Sequence, residues 1–203
     1  MVSVATKKLS EEEYLEFERN SEEKHEFENG ILIPMSGASL EYNRIVMSLS
    51  GLILNYCLNF DQLDVLGSDM RVYSTKTKRY YYPDLVIFEG EAQLKDTHFD
   101  NLLNPKIIIE VLSDSTEQRD RGLKFEAYRS IPSLKEYLLV AQDQAKIESF
   151  TKNEAGDWII KDPVYGLESS FRFHSLDLSL SLKDVYRKIS FKTKAEDSAD
   201  NPQ

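Results

Sequence analysis

Apolar residues along the chain follow two kinds of pattern. Between Ser39 and Phe60 they recur every three or four residues, which predicts an amphipathic helix. The apolar positions of this helix are Ile45, Val46, Leu49, Leu52, Ile53 and Tyr56. Short apolar runs at 85–88 and 107–112 predict buried strands at about 81–88 and 107–112. Weaker patterns predict strands near 63–73, 135–140, 145–151, 157–161 and 169–174, and helices near 119–130 and 182–187.

Capping and turn residues set the limits of other elements. Ser10, followed three residues later by Glu13, forms a capping box that predicts a helix running to about Asn20. The dipeptide Asn29-Gly30 lies between two short apolar stretches and predicts a tight hairpin. Gly122 lowers the helix propensity of the 119–130 segment.

These elements together predict an α/β fold with a mixed central β-sheet flanked by helices. We expect the 39–60 helix to cover one face of the sheet and the 119–130 helix to lie near a sheet edge or end. Strands that are apolar on both faces indicate burial on both sides. A single domain is expected over residues 1–189, followed by a polar, disordered tail over residues 190–203.

Charge and cysteine content restrict the class of protein. The 203-residue chain has a formal net charge of −10. This charge repels nucleic acid globally, since affinity for phosphates comes mainly from Lys and Arg, but it leaves room for a local basic groove. The one cysteine, Cys57, falls on the apolar side of the predicted helix and is expected in the core. Without a disulfide framework, a signal-peptide core or an apolar segment of membrane-spanning length, we expect a cytoplasmic protein with no membrane partner.

Two acidic residues interrupt the apolar runs and indicate chemistry. Asp84 follows Pro83 directly before the run 85–88, and Glu110 lies inside the run 107–112. A carboxylate buried in a strand is unfavourable unless a cation or a hydrogen-bond donor meets it. Two carboxylates on neighbouring strands could share one cation, which suggests a metal-dependent hydrolase. Two structural explanations stay open: Asp84 as a cap at the strand edge, and Glu110 in a buried salt bridge with Arg119 or Lys124.

The same residues carry a resemblance to a known superfamily. Pro83-Asp84 together with Glu110-Val111-Leu112 resembles the site of the PD-(D/E)XK nucleases, except that Leu112 stands where a lysine is expected. Helical spacing places Asp120, Lys124 and Tyr128 on one helix face, from which Lys124 could reach the same point as the missing lysine.

The wider pattern resembles the Uma-two (Uma2) family of restriction-endonuclease-like proteins, over roughly residues 10–185. The matching segments are 25–30, 67–72, 82–86, 110–116, 135–138, and Asp120 with Lys124 and Tyr128. The family's lysine also lies on this helix. One departure is at Tyr42 or Asn43, near the position where relatives often carry a histidine.

The resemblance implies a restriction-endonuclease-like fold and a set of site residues. Asp84, Glu110 and the backbone carbonyl of Val111 would hold Mg²⁺ or Mn²⁺, since hard cations prefer oxygen ligands. Glu26 would be a third acidic residue at the site, and Lys124 would orient a water or stabilise charge on the phosphate. The residues with supporting roles would be Asp69, Asp120 and Tyr128.

The hypothesis is therefore a Mg²⁺-dependent endonuclease that hydrolyses DNA phosphodiester bonds. The alternative is a noncatalytic nucleic-acid- or protein-binding module that retains the fold, which the net charge and Leu112 favour. The basic run that includes Lys76, Lys78 and Arg79 could contact phosphates or could be a solvated turn. We also expect the basic residues on either side of Asp84 and Glu110 to surround one cleft. Because cleavage of both strands needs two sites, a homodimer is expected.

Overall fold

A computed structural model of the chain describes residues 8–35 and 37–191. Within these ranges the helices are α1 Glu11–Asn20, α2 Leu40–Cys57, α3 Glu117–Arg119, α4 Phe125–Tyr128 and α5 Leu182–Val185. A π-helical turn, Asp120–Lys124, joins α3 to α4, so that 117–128 is one helical segment. The strands are β1 His25–Glu28, β2 Ile31–Pro34, β3 Leu63–Gly67, β4 Arg71–Ser74, β5 Arg79–Tyr81, β6 Leu85–Glu89, β7 Asn101–Leu102, β8 Pro105–Val111, β9 Glu136–Val140, β10 Lys146–Lys152, β11 Trp158–Ile160, β12 Val164–Tyr165, β13 Ser170–Arg172 and β14 Ser179–Ser181.

The strands form two large sheets and one small one. A seven-stranded sheet has the order β11-β10-β9-β8-β6-β3, with β12 pairing with β10, and a five-stranded sheet has the order β2-β1-β5-β4-β7. Strands β8 and β9 run parallel, whereas β8 and β6 are antiparallel. The α/β fold with a mixed sheet, predicted from the sequence, is confirmed.

Helices cover both faces of the seven-stranded sheet. On one face Ile45 and Ile53 of α2 pack in the same apolar cluster as Ile109 of β8. On the other face Tyr128 of the helical segment packs in a second cluster with Ile108 of β8. The prediction that the 119–130 helix lies at a sheet edge or end is therefore wrong. It covers the opposite face, because alternate residues of β8 are apolar on both sides.

The two local signals at the N-terminus are confirmed. In the capping box of α1, Glu13 N–H donates to Ser10 Oγ at 3.1 Å and Ser10 N–H donates to Glu13 Oε2 at 2.8 Å. The hairpin of β1 and β2 turns at Asn29 and Gly30, whose φ angles are +52° and +89°. Both angles lie in the left-handed region that a two-residue turn of this kind requires, which explains the Asn-Gly pair.

One predicted strand is two strands in different sheets. The predicted strand 63–73 divides into β3, in the seven-stranded sheet, and β4, in the five-stranded sheet. A turn separates them, in which Met70 N–H donates to the carbonyl of Gly67 at 3.1 Å. The chain therefore passes from one sheet to the other at this turn, and it returns through Tyr82, Pro83 and Asp84 between β5 and β6.

Three further expectations concern the chain as a whole. Cys57 is a free thiol buried against the α2 cluster, as predicted. In the described part of the chain, no helix combines the length and the apolar character needed to cross a bilayer. The single domain over 1–189 stays a prediction, and of the proposed tail 190–203, residues 192–203 lie outside the described residues.

Candidate active site

The predicted acidic residues lie where the two large sheets meet. Glu26 comes from β1 of the five-stranded sheet, and Glu110 from β8 of the seven-stranded sheet. Asp84 precedes β6, one residue beyond the pair formed by Leu85 and Ile109, and is therefore the cross-strand neighbour of Glu110. All three side chains are buried, and all three line one pocket of about 470 Å³.

Alternation along β8 directs Glu110 into this pocket. Ile109 and Val111 face the α2 cluster, so that Glu110 points to the other side of the sheet, toward the helical segment 117–128. There its Oε1 accepts a hydrogen bond from Lys124 Nζ at 3.2 Å and another from the Tyr128 hydroxyl at 3.1 Å. The predicted position of Lys124 beside Glu110, with Tyr128 one turn behind, is confirmed.

Lys124 is a buried cation surrounded by carboxylates. Its Nζ also lies 2.9 Å from Glu26 Oε1 and 3.0 Å from Asp120 Oδ1. The angles of these two ion pairs are unfavourable for hydrogen bonding. Among the described residues, neither Glu26 Oε1 nor Asp120 Oδ1 therefore has a hydrogen-bond donor. Burial would lower the pKa of Lys124, but the attraction of Glu110, Glu26 and Asp120 outweighs it and holds the pKa well above its usual range. The lysine is therefore charged.

Asp84 is held by two donors from different elements. Its Oδ2 accepts the backbone N–H of Val111 at 2.6 Å, and its Oδ1 accepts a hydrogen bond from the hydroxyl of Tyr42. Burial raises the pKa of Asp84 to about 6, although Tyr42, Val111 and Lys124 oppose this increase. Burial likewise raises the pKa of Glu110 well above its usual range, and the charges of Asp120 and Asp84 add to the effect.

The pocket carries more acidic than basic residues. Its lining includes five acidic residues and two basic ones. The acidic residues are Glu26, Asp84, Glu110, Asp114 and Asp120, and the basic residues are Arg119 and Lys124. Arg119 is already paired, since one of its terminal nitrogens lies 2.8 Å from Glu26 Oε2 and 2.6 Å from Glu28 Oε1. Burial, together with the neighbouring carboxylates, raises the pKa of Asp84 and of Glu110. The excess of acidic over basic residues favours the binding of a further positive charge.

These donors suit a hard divalent cation. Asp84, Glu110 and the Val111 carbonyl offer oxygen atoms, which Mg²⁺ and Mn²⁺ prefer, and the orphaned oxygens of Glu26 and Asp120 lie beside them. Among the described residues, no three Asp, Glu, His or Cys side chains are already arranged around one point as metal ligands. A set of two carboxylates and one carbonyl would leave the remaining positions to water and substrate oxygens, as is usual for Mg²⁺.

Other residues of the predicted site lie elsewhere. Asp69 is exposed, forms an ion pair with Lys24 and does not line the pocket, because it lies in the turn between β3 and β4. Lys76, Lys78 and Arg79 do not line it either. Lys78 lies 3.6 Å from a carboxylate oxygen of Glu11, and Arg79 is buried and donates to the Leu123 carbonyl at 3.3 Å. Of the basic residues expected around the cleft, Arg119 and Lys124 alone are in its lining.

Two contributions to the site were not predicted from the sequence. Tyr42 belongs to the first turn of α2 and carries its hydroxyl to Asp84. Its position three residues before Ile45 places it on the buried side of α2, which is a signal that the periodicity contains. The loop from Ser113 to Thr116 forms a hydroxyl-rich wall of the pocket rather than only a turn. Here the Ser113 hydroxyl lies 2.9 Å from that of Thr116.

Known proteins resemble this chain in sequence and in fold. Residues 11–183 match the Uma2 family, which is described as "Putative restriction endonuclease". Two uncharacterized proteins of Synechocystis sp. strain PCC 6803 are similar in sequence. One is 35% identical over 184 residues, covering 91% of this chain and 94% of its relative, and the other is 37% identical over 162 residues, covering 80% and 91%.

A solved structure has the same fold. The crystal structure of a protein from Anabaena variabilis, titled a "putative nuclease belonging to DUF820", superposes with a TM-score of 0.71 over 88% of this chain and 97% of that chain. Sequence identity in this comparison is 14%, so it shows a common fold, which is restriction-endonuclease-like. The family match extends over nearly all of the described residues, and the chain belongs to the Uma2 family.

Proposed function

We propose that this protein is a Mg²⁺- or Mn²⁺-dependent endonuclease that hydrolyses phosphodiester bonds of DNA in the pocket between the two sheets. The family description and the fold support a nuclease-type function. The observation that carries the finer proposal is the convergence of Asp84, Glu110 and Lys124, from three separate elements, in one acidic pocket.

The proposed cation would be held by Asp84, Glu110 and the Val111 carbonyl. A divalent metal bound there would polarise a phosphate oxygen. It would also lower the pKa of a bound water molecule, so that a nucleophile is available at neutral pH. Two hydrogen bonds within the chain orient the carboxylates of this site. The Val111 N–H fixes one oxygen of Asp84, and the Tyr128 hydroxyl fixes one oxygen of Glu110. Their orientation is therefore set before any ligand binds.

Lys124 is the proposed catalytic cation of the protein itself. Glu110, Glu26 and Asp120 keep its ammonium group charged, and all three of these carboxylates are buried. An ammonium at this position would stabilise negative charge that develops on the phosphoryl oxygens, or orient the attacking water. Since charge stabilisation is strongest in a water-poor site, the burial of Lys124 suits this role.

The alternative is a noncatalytic binding module with the same fold. One observation favours it: Lys124 is paired with three carboxylates, so it could serve only to neutralise them. Leu112 adds to this argument, because it is buried in the apolar cluster and offers no charge to the pocket. A module of this kind would bind a partner without metal-dependent cleavage.

A cleavage assay separates the two functions. Wild-type protein is incubated with Mg²⁺ or Mn²⁺ and with supercoiled plasmid, single- and double-stranded DNA, and RNA. Asp84→Ala and Glu110→Ala should each abolish cleavage while circular dichroism shows an unchanged fold. The matched control is Asp69→Ala, which removes an acidic residue that is exposed and outside the pocket, and it should cleave like wild type.

Three outcomes of the assay would contradict the proposal in whole or in part. Wild-type protein that binds Mn²⁺ but leaves every substrate intact would favour the binding module. Equal cleavage by wild type and Asp84→Ala would place the active site elsewhere. Cleavage of RNA in preference to DNA would retain the chemistry but replace the substrate class.

A further inference from the structure

The outer face of α2 is unusually apolar for a surface that none of the other described elements covers. The buried side of this helix packs on the sheet through Ile45, Leu49 and Ile53. On the opposite side four large apolar side chains are 46–77% exposed, and these are Leu40, Met47, Leu54 and Leu58. We call these four residues and Gly51 the α2 seam. An amphipathic surface helix normally presents charged and polar residues at such positions.

The sequence around the seam lacks charge from Ile45 onward, whereas Glu41 and Arg44 follow Leu40. Between Arg44 and Asp61 there are sixteen residues without a single Asp, Glu, Lys or Arg, in a chain of which 30% is charged. A segment that faces only water is expected to carry charged residues, since exposed charges favour solubility. Over residues 45–60 a charged partner would find no residue of opposite charge. The partner surface that fits is apolar and neutral.

The seam is nearly symmetric about Leu49. Leu40, Met47 and Leu54 are seven residues apart, so they form one stripe along the helix. Reversing the direction of the helix about residue 49 exchanges Leu40 with Leu58, Asn43 with Asn55, and Met47 with Gly51. Leu40, Met47 and Leu58 then each meet an apolar or small residue, and Asn43 meets Asn55. Leu54 meets Arg44, whose guanidinium is held by the Lys188 carbonyl at 3.2 Å, so that its aliphatic stem is what faces Leu54. A surface that matches its own reversed copy is what a two-fold symmetric interface requires.

Gly51 supports close approach by a second helix. A glycine within a helix lowers stability by about 1 kcal/mol relative to alanine. Packing against the described residues does not require it, because no atom from outside this part of the helix lies within 4 Å of the position that a Cβ would take. The open space at Gly51 matches the long, flexible side chain of Met47 from a reversed helix.

We infer that the α2 seam is the surface through which two copies of this chain associate, with their α2 helices antiparallel about a two-fold axis near Leu49. The four large side chains expose on the order of 500 Å², which is more than half of the roughly 800 Å² that each partner buries in a standard interface. Neighbouring polar residues, including Asn43 and Asn55, supply the rim.

The composition of the two terminal segments outside the described residues does not suit the seam. Residues 192–203 contain no aromatic residue and no aliphatic residue larger than alanine. Residues 1–7 contain Met1, Val2 and Val4 alone as large apolar residues. Neither segment matches a stripe that extends from residue 40 to residue 58. The inference is independent of nuclease activity, and its test measures association alone.

Sedimentation of the full-length protein tests the association. Wild type is expected to be a dimer at about 10 µM, and Met47→Glu, which places a charge at the centre of the seam, should raise the dimer dissociation constant on the order of 100-fold. Because Met47 is exposed, this change leaves the protomer folded. The matched control is Ile160→Glu on β11, a residue that is 75% exposed and outside the seam, which should leave the dimer intact.

Cross-linking tests the orientation. A short bis-maleimide should join Asn43→Cys to Asn55→Cys when the two variants are mixed, and should join neither variant to itself. The native Cys57 is buried, so wild type serves as the unreactive control. A wild-type protein that is monomeric at about 100 µM would overturn the inference and leave the seam to a different protein. Cross-linking of Asn43→Cys with itself would overturn the antiparallel arrangement.

Discussion

Lys124 is the residue on which the charge balance of the pocket depends. It is 4% exposed and faces three carboxylates. Lys124→Met keeps the side-chain length but leaves those carboxylates without their cation. We expect the variant to lose about 3–5 kcal/mol of unfolding free energy without metal, as when one partner of a buried pair is removed. Urea denaturation measures this loss.

Metal provides the second half of the Lys124 test. Mn²⁺ supplies positive charge to the same carboxylates, so it should stabilise Lys124→Met more than wild type and narrow the difference between them. Lys183→Met, at a side chain that is 71% exposed, is the control and should resemble wild type with and without metal. Equal stability of Lys124→Met and wild type in metal-free buffer would contradict the proposed charge balance.

Asp84 should give metal-free stability an unusual dependence on pH. Its folded pKa of about 6 lies above the usual value of 3.8, so the folded state holds this proton more tightly than the unfolded state. The stabilisation that results is complete below pH 4 and is lost as the pH rises through 6. A shift of this size corresponds to about 3 kcal/mol.

The comparison with Asp84→Asn isolates this effect. The variant cannot titrate at this position, so its stability relative to wild type should rise between pH 4 and pH 7, by up to about 3 kcal/mol. Thermal or urea unfolding over this pH range measures the difference. Asp69→Asn, which changes an exposed carboxylate outside the pocket, is the matched control. Parallel curves of stability against pH for wild type and Asp84→Asn would show that folding does not raise the pKa of Asp84, and would contradict this prediction.

Single residues were predictable where their chemistry conflicted with their surroundings. Asp84 and Glu110 were identified because carboxylates in apolar strands need partners, and both lie in the pocket. Asp69 was implied by the family resemblance, but it is exposed at a turn. Tyr42 could not be assigned to the site, because a tyrosine on an apolar helix face is compatible with ordinary core packing. Its contact with Asp84 depends on how α2 meets the sheet.

At the scale of elements, the helical segment 117–128 positions Lys124. Its π-helical turn contains Gly122, which is exposed, has no atom within 4 Å of a Cβ position and does not adopt a positive φ. Alanine therefore fits without strain and removes the backbone entropy of glycine. We expect Gly122→Ala to raise the unfolding free energy by about 0.5–1 kcal/mol, as measured by urea denaturation.

Gly30→Ala is the contrasting variant. Gly30 has a φ of +89°, and a Cβ there would lie 2.6 Å from the Cβ of Lys8, so alanine should destabilise the hairpin. A loss of stability in Gly122→Ala as well would show that the π-helical turn itself requires glycine. That result would connect the turn to the placement of Lys124.

Elements with their own sequence signal were predicted well, and those defined by partners were not. The capping box of α1, the Asn29-Gly30 turn and the period of α2 are local properties, and each gave the right element. The change of sheet between β3 and β4 was missed, because both strands favour extended backbone and their partners differ. The π-helical turn has no periodicity of its own over five residues.

For the whole molecule, net charge determines how DNA could bind. The chain has a net charge of −10, and acidic residues outnumber basic ones in the pocket. We therefore expect metal to be required for binding as well as for cleavage. Fluorescence anisotropy with labelled duplex DNA should show binding with Ca²⁺, a divalent cation that also takes oxygen ligands, and at least tenfold weaker binding in EDTA. Equal affinity in both buffers would contradict this expectation.

The role of the basic hairpin remains a prediction that the same assay tests. Lys76 and Lys78 are exposed, whereas Arg79 is buried, and none of them lines the pocket. If Lys76 and Lys78 contact phosphates away from the pocket, replacing both with alanine should weaken binding to unrelated sequences alike and reduce the slope of affinity against salt. An unchanged slope would identify the hairpin as a solvated turn. Arg79 is left in place because it pairs with Glu126.

The pocket also joins the two large sheets. Its capacity to bind a ligand and its contribution to stability are therefore linked in evolution. Lys124 contacts Glu26 from one sheet and Glu110 from the other, so the interactions that would serve a ligand also hold the halves of the protein together. Selection for thermal stability alone would favour replacing the excess carboxylates with neutral side chains of similar size. Retention of these acidic residues in a heat-stable descendant would therefore indicate that selection had acted on binding.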